Sequence, residues 1–135
     1  MAARRIVTRK GFPGESSGRW RKAQEHLKGM GMVLEARMYD SAALLAVHSA
    51  MAACDAFTLR HLGERCSSDR HLDAAYLFKD VTAIHGVNEA AGHIERLLDE
   101  KSWIEYADRS PRPDEAERLC DHARRFVAFV GNNLA

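Results

Sequence analysis

Residues 48–71, HSAMAACDAFTLRHLGERCSSDRH, decide how this chain folds. The first half is rich in alanine and places His48 and Asp55 seven residues apart, so that both side chains project from one helix face. The helix is expected to end at Gly63, because glycine favours the backbone conformation that follows a helix. Four small residues would let another helix pack closely against this one: Ala50, Ala52, Ala53 and Ala56. The turn after the helix collects titratable residues: Arg60, His61, Glu64, Arg65, Asp69, Arg70 and His71. The stretch therefore predicts packed helices with a polar site at one end.

Helical periodicity extends over the rest of the chain, and no segment has the clean alternation of a strand. Five segments repeat apolar residues at intervals of three and four: residues 17–38, 41–63, a segment starting in 67–69, a segment starting near 88, and 113–131. The connections between them are short, so consecutive helices should pack antiparallel. The expected fold is all-α, an up-and-down bundle of four to five helices.

Composition and charge distribution predict one domain with a basic arm. The 135 residues are 46% hydrophobic, which suffices for a single core. Residues 1–30 contain eight Lys or Arg and two Glu, whereas the remainder is net acidic, and the whole chain carries a net charge of only +1. We therefore expect residues 1–16 to form a basic flexible N-terminal arm and residues 17–135 a single helical bundle domain. The arm could bind nucleic-acid phosphates, contact an acidic second subunit, or simply be solvated.

The cysteines and the apolar segments predict a cytoplasmic location. The three cysteines, Cys54, Cys66 and Cys120, are odd in number and lack CxxC spacing, which suits a reducing compartment. The first residues lack the apolar region of a secretory signal. No run approaches the roughly 18 apolar residues that a membrane span needs, so no membrane association is expected.

The usual motifs of enzyme chemistry are absent from the sequence. There is no GxSxG, phosphate loop, GxGxxG or HExxH, and no Glu has a His three positions later, so we expect no cofactor and no metal. His48 and Asp55 could form a polar network with Lys101, Glu105 and Tyr106 of the fourth helix. They could equally line a polar pocket at a dimer interface, and a buried polar group needs partners in either case.

The strongest candidates for chemistry are Arg65 and His71, which have five residues between them at a turn. A guanidinium can neutralise the charge that develops on a phosphate, and a histidine can transfer a proton near neutral pH. Such a pair could cleave RNA without metal, with the ribose 2′-hydroxyl as the attacking group.

The chain resembles the HEPN superfamily, the higher-eukaryote and prokaryote nucleotide-binding helical domains, over residues 17–131. The resemblance rests on the five-helix layout, on HSAMAACDAF followed by LGERCSSDRH, and on LLDEKSWIEYADR before DEAERLCDHARRFVAFV. It implies a helical bundle that is commonly a homodimer. Many relatives are metal-independent ribonucleases of toxin–antitoxin or defence systems, and many act with a nucleotidyltransferase partner. Others are non-catalytic and bind nucleotide or RNA.

Within this resemblance, Arg65 and His71 match the family's Arg-x(4–6)-His pattern, although Cys66 replaces the polar residue that usually follows the arginine. The predicted function is therefore nucleotide or RNA binding, with Arg65 and His71 as the catalytic pair if the protein is an endoribonuclease. The alternative is a non-catalytic dimeric interaction module. The residues expected to contribute to binding are His48, Asp55, Arg60, Asp69, Lys101 and Tyr106.

Overall fold

Five helices and one short two-stranded ribbon make up the part of the chain that the structure, a computed structural model, describes: residues 5–135. In chain order the elements are β1 (Thr8–Lys10), α1 (Glu15–Glu35), α2 (Tyr39–Leu62), β2 (Glu64–Cys66), α3 (Asp73–Lys79), α4 (Val87–Tyr106) and α5 (Pro113–Asn132). The predicted all-α helical bundle is confirmed.

Helix α2 is the central element, and it packs against all four other helices. The alanines that predicted close packing are buried, and this allows α1 to approach α2 along its length. Among the described residues, α2 is the one helix long and apolar enough to cross a membrane, but 72% of its most apolar window is buried inside the fold. Its apolar character is therefore that of a core helix.

Three phenylalanines join α2, α3 and α5 at the centre of the core. The ring of Phe78 lies 4.5 Å from that of Phe57 and 5.0 Å from that of Phe126, measured between centroids. All three side chains are fully buried, so each contributes roughly 2–3 kcal/mol of burial free energy. This cluster fixes the short α3 against the two long helices.

The segment before α1 is ordered by β-sheet pairing, in contrast to the flexible arm expected for residues 1–16. Strand β1 runs antiparallel to β2, with Thr8 opposite Cys66 and Lys10 opposite Glu64, and the Gly11 N–H donates to the Gly63 carbonyl at 3.0 Å. Helix α1 then begins at Glu15. The structure differs from the expected loose arm in two places: the backbone of residues 8–11 pairs with the chain just after α2, and residues 15 and 16 already belong to α1. Residues 1–4 of the arm lie outside the described part of the chain.

The predicted start of α5 agrees with the structure, whereas the predicted start of α3 is several residues too early. Helix α5 begins at Pro113, as expected, and its Glu115 carboxylate accepts the Arg112 N–H at 3.0 Å. Helix α3 begins only at Asp73, because the Ser68 hydroxyl accepts from the Arg70 N–H and donates to the Asp73 carboxylate. Those contacts make residues 68–73 a turn rather than the first turn of a helix.

Candidate functional site

Arg65 is held by a carboxylate from the start of α1. The β1–β2 pairing brings Arg65 to this helix end, and its Nε donates to Glu15 Oε2 at 3.1 Å. The Arg65 side chain is 18% exposed and that of Glu15 is 5% exposed. An ion pair this deep gains strength from its low-dielectric surroundings, and neither charge could be left there alone without a large cost.

Asp55 lies beside this pair and completes a cluster of two acids and two bases. Its Oδ2 is 4.0 Å from Arg19 Nη1, and Glu15 and Arg65 also act on it electrostatically. Burial raises the pKa of Asp55 from 3.8 to about 6, against the opposing effect of Arg19 and Arg65. We call Glu15, Arg19, Asp55 and Arg65 the Glu15 cluster.

The two predicted catalytic residues do not share a contact in the structure. Arg65 is in the Glu15 cluster, and within residues 5–135 no hydrogen bond or ion pair joins its side chain to the His71 ring. His71 is half-buried just before α3, and Asp69, two residues earlier, is exposed. A catalytic role for Arg65 and His71 stays a prediction.

His48 and Asp55 share the partly exposed face of α2 but have different partners. His48 Nε2 is 3.9 Å from Glu105, whose carboxylate also accepts from Lys101 at 3.1 Å. The expected link from α2 to α4 therefore forms through His48, while Asp55, about 10 Å further along the helix, faces α1 and β2. Tyr106, also expected in this network, is 80% exposed.

An exposed phenylalanine surrounded by basic residues lies next to the Glu15 cluster. Phe12 is 61% exposed and lies between two surface cavities of about 300 and 290 Å³. The first cavity is also lined by Arg9, Arg19, Arg21 and Lys22, and the second by Arg60. We call these six residues the Phe12 surface. It combines an aromatic face with five cationic side chains: Arg60 is among the binding residues predicted from the sequence, and the other four belong to the basic first 30 residues.

The Phe12 surface is attached directly to the Glu15 cluster. The Phe12 N–H donates to Glu15 Oε1 at 3.3 Å, while Glu15 Oε2 accepts from Arg65. Gly14 follows with a φ of +85°, which lets the chain turn into α1. Sequence analysis missed Phe12 and Glu15, although the one aromatic residue in the basic segment RKGFPGE was an available signal.

A cavity of about 380 Å³ at the connection between α3 and α4 has a different chemistry. Its lining includes Lys79, His85 and Asn88, and Lys79 already forms an ion pair with Glu95. It therefore offers less free positive charge than the Phe12 surface. Among the described residues, no group of three or more His, Cys, Asp or Glu side chains is arranged to hold a metal ion.

Comparison with known proteins identifies a family for most of the chain. The sequence model of the HEPN domain family matches residues 17–133, which include all five helices except the first two residues of α1. No curated protein matches the chain. The homodimer, the nucleotidyltransferase partner and the toxin–antitoxin role stay predictions.

Proposed function

The chain belongs to the HEPN domain family, a helical family related to nucleotides and RNA, and we propose that it binds nucleotide or RNA through the Phe12 surface. The observation that carries this proposal is the exposed Phe12 ring between two cavities with five cationic side chains around it. An exposed aromatic ring stacks on an unpaired base, and neighbouring Arg and Lys side chains neutralise phosphates.

The order of the segment supports binding by a prepared surface. The β1–β2 pairing fixes the chain before Phe12, and Glu15 fixes the Phe12 backbone through its N–H. A surface that is already ordered loses less conformational entropy when it binds a ligand. Single-stranded RNA is the favoured ligand, because its bases are free to stack.

Cleavage of RNA by Arg65 and His71 is the second candidate, and the Arg65 contact argues against it. Arg65 Nε is already used by the buried Glu15 carboxylate, and moving the guanidinium onto a phosphate would leave that carboxylate without its ion-pair partner. We therefore expect binding without cleavage. Wild type and the Arg65→Ala/His71→Ala variant, incubated with structured RNA in EDTA, should give the same background cleavage. Cleavage by wild type alone would restore the nuclease hypothesis.

A cytoplasmic location fits this function. Cys54, Cys66 and Cys120 are all free thiols, which is typical of proteins kept in a reducing compartment. Cytoplasmic RNA and nucleotides would then be available to the Phe12 surface. Fractionation of cells that produce the untagged protein tests this location, and recovery with the membranes would contradict it.

The binding experiment compares alanine substitutions at two exposed apolar residues, one within the Phe12 surface and one outside it. Phe12→Ala removes the ring, and Met32→Ala, at 65% exposed on α1 and outside both cavities, is the matched control. Loss of one stacked base costs about 1–3 kcal/mol, so Phe12→Ala should weaken binding of fluorescein-labelled single-stranded RNA roughly 5- to 150-fold in an anisotropy titration. Met32→Ala should bind as wild type.

Two results would overturn the proposal. Wild-type protein with no RNA or nucleotide binding at low salt would remove the function itself. Equal affinity of the wild-type and Phe12→Ala proteins would remove this surface as the site. Circular dichroism of each variant checks that the helices are retained.

A further inference from the structure

Two histidines meet between α4 and α5, away from the residues used so far. His93 Nδ1 and His122 Nδ1 are 2.9 Å apart, and the ring centroids are separated by 5.2 Å with the planes at 45°. Both side chains are half-buried. Each comes from a long helix that contributes to the core, so the backbone on both sides of the pair is fixed.

The short distance requires one nitrogen to donate and the other to accept. In a neutral imidazole only one ring nitrogen carries a proton, so the two Nδ1 atoms share one hydrogen between them. Partial burial lowers the pKa of both rings, with further lowering from nearby arginines. The pair is therefore two neutral imidazoles whose Nδ1 atoms lie within 2.9 Å of each other.

We propose that His93 and His122 bind a single Cu²⁺ or Ni²⁺ ion through their Nδ1 atoms, independently of the proposed nucleotide or RNA function. With metal–nitrogen distances of about 2.0–2.1 Å, two ligands at a right angle are about 2.9 Å apart, whereas tetrahedral ligands are about 3.3 Å apart. The 2.9 Å separation is that of the hydrogen bond between the two rings, and two neighbouring ligands of a tetragonal Cu²⁺ or Ni²⁺ site have about the same separation, so the two helices need move little for both rings to bind one ion. To bind the ion, the ring that donates in the hydrogen bond must change tautomer: its proton moves from Nδ1 to Nε2 through solvent, so that both rings stay neutral with their proton on Nε2 and no net proton is lost.

Water completes the coordination, because the described residues provide no third His, Cys, Asp or Glu arranged with the pair to hold an ion. The charged groups around the pair have opposing effects on the binding of a cation. Arg96, Arg118 and Arg125 disfavour a cation, while Asp121 favours it and holds Arg125 at 3.0 Å. Because the pair provides only two ligands and charges of both signs surround them, we expect the ion to exchange with solvent rather than to stabilise the fold.

The test titrates Cu²⁺ into untagged protein and follows binding by calorimetry. Wild type should bind one equivalent in its tightest phase, and His93→Ala and His122→Ala should each weaken that phase at least about tenfold. The matched control is His85→Ala, which removes an exposed histidine at the start of α4 without touching the pair. It should retain the wild-type affinity.

A second measurement does not depend on any variant. Electron paramagnetic resonance of wild type with one equivalent of Cu²⁺ should reveal hyperfine coupling to two imidazole nitrogens. A spectrum with one nitrogen, or equal affinities for wild type and both pair variants, would overturn the proposal. So would an equal loss in His85→Ala, since that result means diffuse binding to surface histidines.

Discussion

The first turns of α1 and α5 each carry a glutamate that is held by an arginine. The two glutamates differ in the number of hydrogen bonds that their carboxylates accept. Glu115 in α5 accepts from both terminal nitrogens of Arg109, at 3.0 and 3.1 Å, and from the Arg112 N–H at 3.0 Å. The Arg109 hydrogen bonds lower the pKa of Glu115 to about 2. Glu15 in α1 accepts once from Arg65 and once from the Phe12 N–H.

The surroundings of the two glutamates explain their different roles. The α5 arrangement closes a helix end, and a capping contact of this kind stabilises a fold without any ligand. The Glu15 cluster instead contains a second buried acid, Asp55, whose pKa is raised to about 6 because burial outweighs its arginine neighbours. Carboxyl groups whose pKa is raised by burial are enriched at functional sites, and this supports the binding role that we propose for the neighbouring Phe12 surface.

The largest effect is expected when Arg65 is replaced by methionine. This change leaves the Glu15 carboxylate buried without its ion-pair partner, which should lower the free energy of unfolding by about 3–5 kcal/mol. Urea unfolding at pH 7 measures it. The Glu15→Gln/Arg65→Met variant should recover much of the loss. A single-variant loss below about 1 kcal/mol would mean that the pair is not buried in solution.

Asp55→Asn should stabilise the protein at neutral pH. The folded-state pKa of about 6 lies above the ordinary value of 3.8 for an aspartate, so ionised Asp55 lowers stability as the pH rises through that window. Asparagine cannot ionise, and the gain at pH 7 should be about 3 kcal/mol, falling towards zero near pH 4. The control is Asp99→Asn, an exposed acid of α4. Equal unfolding free energies for wild type and Asp55→Asn at pH 7 would contradict the raised pKa.

Glu115→Gln should have the opposite sign, and a smaller effect because the Arg109 side chain is 49% exposed and solvent screens the pair. Because the folded-state pKa is depressed from 4.5 to about 2, the carboxylate stabilises the fold above pH 4.5, and this contribution is lost as the pH falls towards 2. The variant should therefore unfold at lower urea concentration than wild type at pH 7, with the gap narrowing in acid. A gap that stays constant from pH 7 to pH 2 would exclude the charge as its cause.

The smallest expected effect is a change in the salt dependence of RNA binding, and it distinguishes the Phe12 surface from the rest of α1. Lys22 lines the cavity beside Phe12, while Lys28 is an exposed lysine of the same helix outside it. If Lys22 neutralises one RNA phosphate, Lys22→Ala should reduce the slope of log affinity against log salt by about 0.7. Lys28→Ala should keep the wild-type slope. Equal slopes in the two variants would remove Lys22 from the interface.

The helices could be predicted because their signals are local. Pro113 and the acids that follow it start α5, and Gly63, with a φ of +74°, ends α2 as expected. The β1–β2 ribbon could not be predicted in the same way, because each strand has three residues and the pairing joins segments more than 50 residues apart. The start of α3 was expected too early, in residues 67–69, for a similar reason, since the contact between Ser68 and Asp73 makes this segment a turn instead.

The candidate site was predictable only in part. The shared face of His48 and Asp55 followed from helical spacing, but their separate partners depend on which helices flank α2. Arg65 was selected for its distance from His71 in the sequence, whereas its partner Glu15 is 50 residues away and reaches it through the β ribbon. Contacts of this kind arise from tertiary structure, as does the meeting of His93 with His122.

Photo-crosslinking tests the central claim most directly, because it locates bound RNA without altering the protein. Wild-type protein is irradiated with single-stranded RNA that contains 4-thiouridine, and the crosslinked peptides are identified by mass spectrometry. The account predicts crosslinks in the segment around Phe12 and the first turns of α1. Crosslinks confined to α4 or α5, with none near Phe12, would contradict it.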